Sequence, residues 1–436
     1  MAIISQKQLF SWKEIEDLAD LQRFSLLIKY LPDSELMRKL ESQRGNGRND
    51  YPVRAVWNSI LAGIVYQHPS IESLRRELKR NAELRQLCGF DLCKSIHAVP
   101  SSDAYTNFLK LLLKHSDYVD AIFYDLVDKL GEVLPGFGRT LAIDSKAIKS
   151  RSRKGSKCGD LRGESDADKA VKTYKGKRKD GTIWKSVKSW FGFKLHLIVD
   201  ADYELPVDYK VTKASASDIT EAKAMVKDLA SNRPEVLENA ELLLGDKGYD
   251  DTKLITMLWD DHRIKPVIDI RDQWKVDGAR LVEGQSNVSH DYKGTVYCHC
   301  PVEWQKRQMA FGGFEEDRNT LKYRCPAKHY GLKCKGKDKC WISDNIRINI
   351  DSNPRIFTPV ARSSYKWKEI YKKRSSVERV NSRMDESFGF ERHFIRGGAK
   401  MKLRCGLAMI VMLGMAYGRI REKQPGKIRS LVQPAA

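Results

Sequence analysis

The sequence predicts an α/β protein: an all-helical N-terminal domain, then a domain of strands and helices, with a β-rich insertion inside the second. Three observations carry this. Apolar residues recur at helical spacing through residues 1–135, and after PGFGR they gather into short strand-like runs. Between 270 and 362 the composition shifts towards Arg, Gly and Asn and holds five of the nine Cys. A chain of 436 residues has room for roughly two to four domains.

In the helical part, Leu18, Leu21, Phe24, Leu27, Ile28 and Leu31 fall on one face, and Pro32 stops the segment. QRGNGRND (Gln43 to Asp50) is a loop by composition. Pro52 opens a second helix through Trp57, Leu61, Ile64 and Val65. After the turn His68 to Ser70, with Ser70 as N-cap, IESLRRELKRN sets Ile71, Leu74 and Leu78 on an apolar face beside basic Arg75, Arg76, Lys79 and Arg80. Two helices with a short turn, the second basic, suit a helix-turn-helix reader of DNA. An ordinary bundle helix with a solvated basic face fits equally, and both readings stay open.

TLAIDSKAI (Thr140 to Ile148) reads as a short buried strand ending at Asp144. The basic stretch Lys146 to Lys188 reads as a flexible, solvated segment able to order on phosphates. WFGFKLHLIVD and LPVDYKVTKA are two strands joined by a turn, and DITEAKAMVKDLA is a helix from Asp218. AELLLGDKGYDD carries a strand into Gly245-Asp246, and HRIKPVIDI is a further one. YKKRSSVERVNSRMDESFGFERH reads as one helix up to Gly389, with Tyr371, Arg374, Glu378 and Asp385 on one face. CGLAMIVMLGMAYG, Cys405 to Gly418, falls short of the roughly 20 residues that span a bilayer, which predicts a buried helix.

Asp144 and Asp246 each close an apolar strand, and α/β sheets place their sites at strand ends. Together with Glu378 they form a set of carboxylates that would repel one another without a cation. Hard, oxygen-seeking Mg²⁺ or Mn²⁺ suits them, and a metal pair can serve phosphodiester chemistry. A net charge of +21 favours a polyanion partner, nucleic acid first. A membrane partner is disfavoured, since no Lys-rich amphipathic helix is evident. The odd Cys count and a start without a secretory pattern argue against a disulfide framework and for the cytoplasm. Cys298, Cys300, Cys325, Cys334 and Cys340 could bind a structural Zn²⁺, though loose or buried thiols fit as well. Trp304 and Trp341 could stack on an unpaired base or sit in a core.

These motifs resemble bacterial insertion-sequence transposases of the DDE type, whose third carboxylate lies in a Tyr-x2-Arg-x3-Glu-x6-Lys signature. YKKRSSVE supplies Tyr371, Arg374 and Glu378 at that spacing, LAIDSKAI resembles the first-Asp motif, and GDKGYDD resembles the second. RNDYPVRAVWNSILAGIVYQHPS and the residues after it are similar to the N-terminal domain of these enzymes. The resemblance implies a ribonuclease-H-like catalytic domain at 136–269 and 363–425, a β-rich insertion at 270–362, and a DNA-end-binding domain at 1–135. It implies that Asp144, Asp246 and Glu378 are catalytic metal ligands, that Tyr371 and Arg374 position DNA, and that the enzyme works on element ends and target DNA as a homodimer near the nucleoid. The implied activity is end cleavage and joining. A non-catalytic DNA-binding derivative and a nuclease of the same fold remain as alternatives. At the signature's last position the family's Lys or Arg is Asp385 here.

Overall fold

The computed structural model describes residues 19–44, 50–152, 164–178, 180–274, 278–303, 305–340, 342 and 344–430. Leu18, Trp304, Trp341, most of the Gln43–Asp50 loop and the part of the basic stretch at 153–163 lie outside the described residues.

Seven helices lead the described chain: α1 Ala19–Tyr30, α2 Ser34–Ser42, α3 Val53–Val65, α4 Ile71–Arg80, α5 Ala82–Cys88, α6 Ser102–Lys114 and α7 Ser116–Val133. Ser70 caps α4 as its position predicts, its Oγ accepting from Ser73 N at 3.2 Å. Every residue of α3 except Arg54 is buried, as an all-round apolar helix must be. It is a core element.

The main sheet holds β1 Thr140–Lys149, β2 Asp168–Lys177, β3 Ile183–Asp200, β4 Leu205–Lys213, β5 Leu242–Gly245 and β6 Lys265–Ile268. The inner half of β3 lies between β4 and β1, antiparallel to both. β1, β5 and β6 run parallel. The crossover from β4 to β5 runs through α8, Asp218–Asn232, and the short α9, Pro234–Asn239. Ser217 caps α8 and Asp218 opens its first turn.

Two sequence expectations give way here. The stretch Lys146–Lys188 is not simply flexible: β2 and the outer half of β3 pair residue by residue from Asp168↔Gly192 to Lys177↔Ile183. Backbone pairing to an already anchored strand outweighs the repulsion of many lysines. At the ribbon's root, Gly192 (φ 151°) brings β3 so near β1 that a Cβ would stand 2.3 Å from Ile148 O. Nor does β1 stop at Asp144. The strand continues to Lys149 while unbroken burial ends, Leu141 to Ile143 being fully buried, Asp144 to Lys146 half-buried and Ile148 buried again.

β6 leads into the insertion: a four-stranded sheet ordered β10-β9-β8-β7 and a three-stranded sheet β11-β12-β13. Their bounds are β7 Arg280–Leu281, β8 Val288–His290, β9 Val296–His299, β10 Lys306–Gln308, β11 Ala310–Glu315, β12 Thr320–Arg324 and β13 Asn345–Asn349. They share a separate core around Val288, Val296, Leu321, Tyr323 and Ile348. The chain then returns through α12, Tyr365–Lys372, and α13, Ser376–Phe388 (here α10 is Thr252–Thr256 and α11 Pro326–Tyr330). The sequence suggested one helix from Tyr371. Instead a 3₁₀ turn, Lys373–Ser375, separates α12 from α13, and Gly389 (φ 55°) ends α13.

The last helix, α14 Gly398–Arg421, packs against α1, α3, α7 and β4. It joins the N-terminal helices and the sheet into one continuous core. By length and composition it could cross a membrane, but 89% of its apolar window is buried inside the protein. The buried helix expected for Cys405–Gly418 is present.

Candidate active site

Asp144 stands on β1 where burial ends. Its Oδ1 accepts from Ser145 N at 2.7 Å. Burial pushes its carboxyl up to about 6; the charge of Asp246 adds to the rise, while the Ser145 N–H, Lys172 and Arg374 oppose it. Asp246 follows the last residue of β5, the neighbour of β1. Its Oδ1 caps the next 3₁₀ turn, accepting from Gly248 N at 2.7 Å. A Cβ on residue 248 would lie 2.6 Å from that oxygen, so glycine is what lets the carboxylate sit there.

Glu378 approaches from α13. The 3₁₀ turn before it packs on both β1 and β5, which brings Arg374 over the strand-borne acids. Arg374 Nη1 donates to Glu378 Oε1 at 2.8 Å. Tyr371 stacks on Trp367, ring centroids 4.4 Å apart. Burial and the nearby charges of Asp269 and Asp246 push the Tyr371 hydroxyl up to about 12, with Arg374 opposing. Asp144, Asp246, Tyr371 and Arg374 thus lie within one another's electrostatic reach, and Glu378 is linked to them through Arg374. As the side chains stand, no three His, Cys, Asp or Glu among the described residues form a ready metal-ligand group. Glu378 is turned to Arg374, and its side chain is 53% exposed.

The donors nevertheless suit Mg²⁺ or Mn²⁺ in kind. They are hard oxygens, and the Asp144 carboxyl, raised chiefly by burial and further by Asp246, is one whose charged form a cation would stabilise. Among the described residues neither Asp forms an ion pair.

Asp385 is not solvated. It is half-buried and pairs with Lys146 of β1, whose Nζ also lies 3.8 Å from Glu391. Burial raises its carboxyl, and Lys146 partly offsets the rise. The other cations near it in sequence are engaged elsewhere: Lys372 with Glu369, Lys373 with Asp202, and Arg379 and Arg383 with Glu204.

On α4, Arg75 is tied down, donating to both oxygens of Glu72 and to Pro100 O. Arg80 pairs with Glu77. Arg76, Lys79 and Arg80 are exposed.

Cys298, Cys300, Cys325, Cys334 and Cys340 line one small cavity of about 20 Å³ in the insertion. All are free thiols. Burial, with Cys325, Cys340 and Cys334 nearby, pushes the Cys298 thiol up to about 11. His299 Nε2 is engaged with Ser289 Oγ at 2.8 Å, and His329 rests on Tyr330.

Sequence reasoning passed over two acids. Asp269 follows β6 as Asp246 follows β5, and Lys247 Nζ lies 3.4 Å from it; the apolar run of HRIKPVIDI ending in Asp was the available signal. Asp250 is buried and holds Arg355 by two hydrogen bonds, 3.0 and 2.7 Å, while accepting from Arg271 N at 2.8 Å. Arg271 also donates to Gly248 O at 3.1 Å. The loop carrying Asp246 is thus clamped by two arginines of the insertion, a pairing across 105 residues that no local pattern announces.

The family profile described as Transposase DDE domain matches residues 135–413, and Transposase domain (DUF772) matches residues 5–111. None of the curated proteins matches the chain. Among solved structures, the cryo-EM structure of the piggyBac transposase synaptic complex with hairpin DNA aligns over 96% of this chain and 86% of that one. Its identity is 11% and its TM-score 0.31, too distant to bear on the fold or the site.

Proposed function

The chain belongs to the transposase DDE-domain family, and on that premise we propose that it cuts DNA at the ends of its own insertion element and joins them to target DNA. The observation that carries this is the placement of Asp144 and Asp246 at the half-buried ends of adjacent parallel runs, with Arg374 brought beside them by the turn that packs on both strands and Glu378 paired to Arg374. The strand order β4-β3-β1-β5-β6, antiparallel on one side of β1 and parallel on the other, supports a ribonuclease-H-like catalytic domain at 136–269 and 363–425, with the insertion at 270–362 and end binding by 1–135.

Asp144, Asp246 and Glu378 would hold Mg²⁺ or Mn²⁺, which when bound supplies the charge that activates water and stabilises the leaving oxygen. Hydrolysis adds water across the scissile P–O bond and leaves a 3′-hydroxyl. That hydroxyl then displaces a bridging oxygen in target DNA. Arg374 holds Glu378 until substrate and cation compete for it. Tyr371, fixed by its stack on Trp367, presents its hydroxyl beside the same acids to position the DNA backbone.

Double-stranded DNA is the partner, and a homodimer forms on it. The protein resides in the cytoplasm at the nucleoid, and no membrane is involved. Four of the five clustered Cys would take Zn²⁺, whose soft-ligand preference they meet, to brace the insertion; metal analysis with thiol titration tests this. Gel assays with a plasmid bearing the encoding locus and its flanks, plus a target plasmid, test the main reading. Joined products support it. Cutting without joining indicates a nuclease, and a mobility shift alone indicates a binding protein.

A further inference from the structure

Beyond Asp144, β1 forms one wall of a groove of about 820 Å³. Lys146 and Lys149 come from β1, Lys172 from β2, and Lys188 and Trp190 from β3; Lys194 closes the inner end. Lys146 is held by Asp385 and Lys194 by Asp218. Lys149 and Lys172 form no ion pair among the described residues. The groove opens at the root of the β2–β3 ribbon.

That ribbon is costly as an isolated object. Its outer half is two-stranded, and such ribbons are marginal in water. Lys172 stands directly opposite Lys188 in the register. Like charges facing across a strand pair are destabilising. Residues 168–190 carry eight Lys or Arg against two Asp. The same ribbon exposes Val171, Ile183, Trp184 and Val187. A polyanion would turn the facing lysines from a cost into a contact, and a two-stranded ribbon fits the major groove of duplex DNA.

We propose that the β2–β3 ribbon and the lysine groove at its root form a docking surface for duplex DNA, which runs a phosphate backbone past Lys172, Lys188 and Lys149 towards Asp144. The occupant is DNA because the surface is basic where it is continuous with the acids. A second copy pairing along the exposed edge of β2 would not explain the lysines that line the groove floor. The inference rests on the transposase reading and adds where the DNA lies.

The test is Lys172→Thr/Lys188→Thr in the full chain, with binding to a fluorescent random-sequence duplex measured across salt concentrations. Affinity should fall on the order of tenfold and the salt slope should shrink by about one to two phosphate equivalents. Thermal stability without DNA should hold or rise, because the facing charges are gone. An unchanged slope, weaker binding traced to earlier melting, or light scattering that shows the variant has lost a dimer formed without DNA each overturns the inference. If Arg76→Gln/Lys79→Gln/Arg80→Gln on α4 loses binding while the ribbon variant does not, the inference falls and the transposase reading stands. A wild-type protein that binds no duplex at any salt overturns both.

Discussion

In the proposed site Asp144 and Glu378 start from opposite physical conditions. Asp144 is carried by a strand hydrogen-bonded on both edges, and burial holds its carboxyl up to about 6. Glu378 rides on a helix, half out in solvent, and is already satisfied by Arg374 at 2.8 Å. The sheet half of the site is rigid and electrostatically frustrated. The helix half is exposed and already paired. A site divided this way can stay open without cation or substrate, since only the strand-borne acids need relief. On the proposed reading, Glu378 would join them only once Arg374 is displaced from it.

The comparison breaks most visibly in activity. Asp144→Asn and Asp246→Asn should each lower strand cleavage by at least on the order of a hundredfold, with duplex binding nearly unchanged because lysine–phosphate contacts are separate. Cleavage retained by either variant in a gel assay would show that the strand acids are not the reactive half.

Next is the support under the sheet half. Asp250→Ala leaves Arg355 and the backbone of Arg271 without their buried partner. Breaking a buried pair on one side costs about 3–5 kcal/mol, to be read as a lowered urea midpoint. A loss below about 1 kcal/mol would mean that the clamp is no firmer than a surface bridge.

The frustration of Asp144 has its own signature. Its native carboxyl keeps a proton to about pH 6 against an ordinary value of 3.8. This favours folding fully below 3.8, and the benefit is lost as pH rises through about 6. At pH 7 the ionised group is therefore a burden. Asp144→Asn should raise stability there by on the order of 1–2 kcal/mol, a gain that fades towards pH 4. Mg²⁺ should raise the melting temperature of the wild type and leave that of the variant unmoved. Calorimetry at pH 4 and pH 7, with and without Mg²⁺, checks all of this.

The smallest expected effect sharpens the other side. Arg374→Gln removes a partly exposed bridge and should change stability by only a few tenths of a kcal/mol. Its cleavage should nonetheless drop while Glu378 remains. A stability loss comparable to that of Asp250→Ala would place Arg374 in the framework and take it out of the site.

Much of this was local enough to read from the chain. Apolar periodicity marked α3, α4 and α14, and Ser70 announced its own cap. The apolar runs before Asp144 and Asp246 located two acids, because in an α/β sheet the point where burial stops along a strand is set by side-chain chemistry. The Arg374–Glu378 pair followed from one turn of spacing and survives the 3₁₀ turn that divides the helix, since a 3₁₀ residue advances about 120° against about 100° in an α-helix, which still leaves residues one turn apart on the same side.

The pairings between segments distant in sequence emerged only from the folded chain. Asp385 meets Lys146 across 239 residues, which makes the acid at the signature's last position the holder of a lysine two residues beyond Asp144. Asp250 meets Arg355 across 105 residues, which include most of the insertion. The lysine-rich stretch after β1 becomes a ribbon because β3, anchored between β1 and β4, offers it an edge to pair with. Periodicity and composition report how a segment sits relative to solvent. Which charge neutralises which depends on where the folded backbone brings two side chains together, and distance along the chain does not encode that.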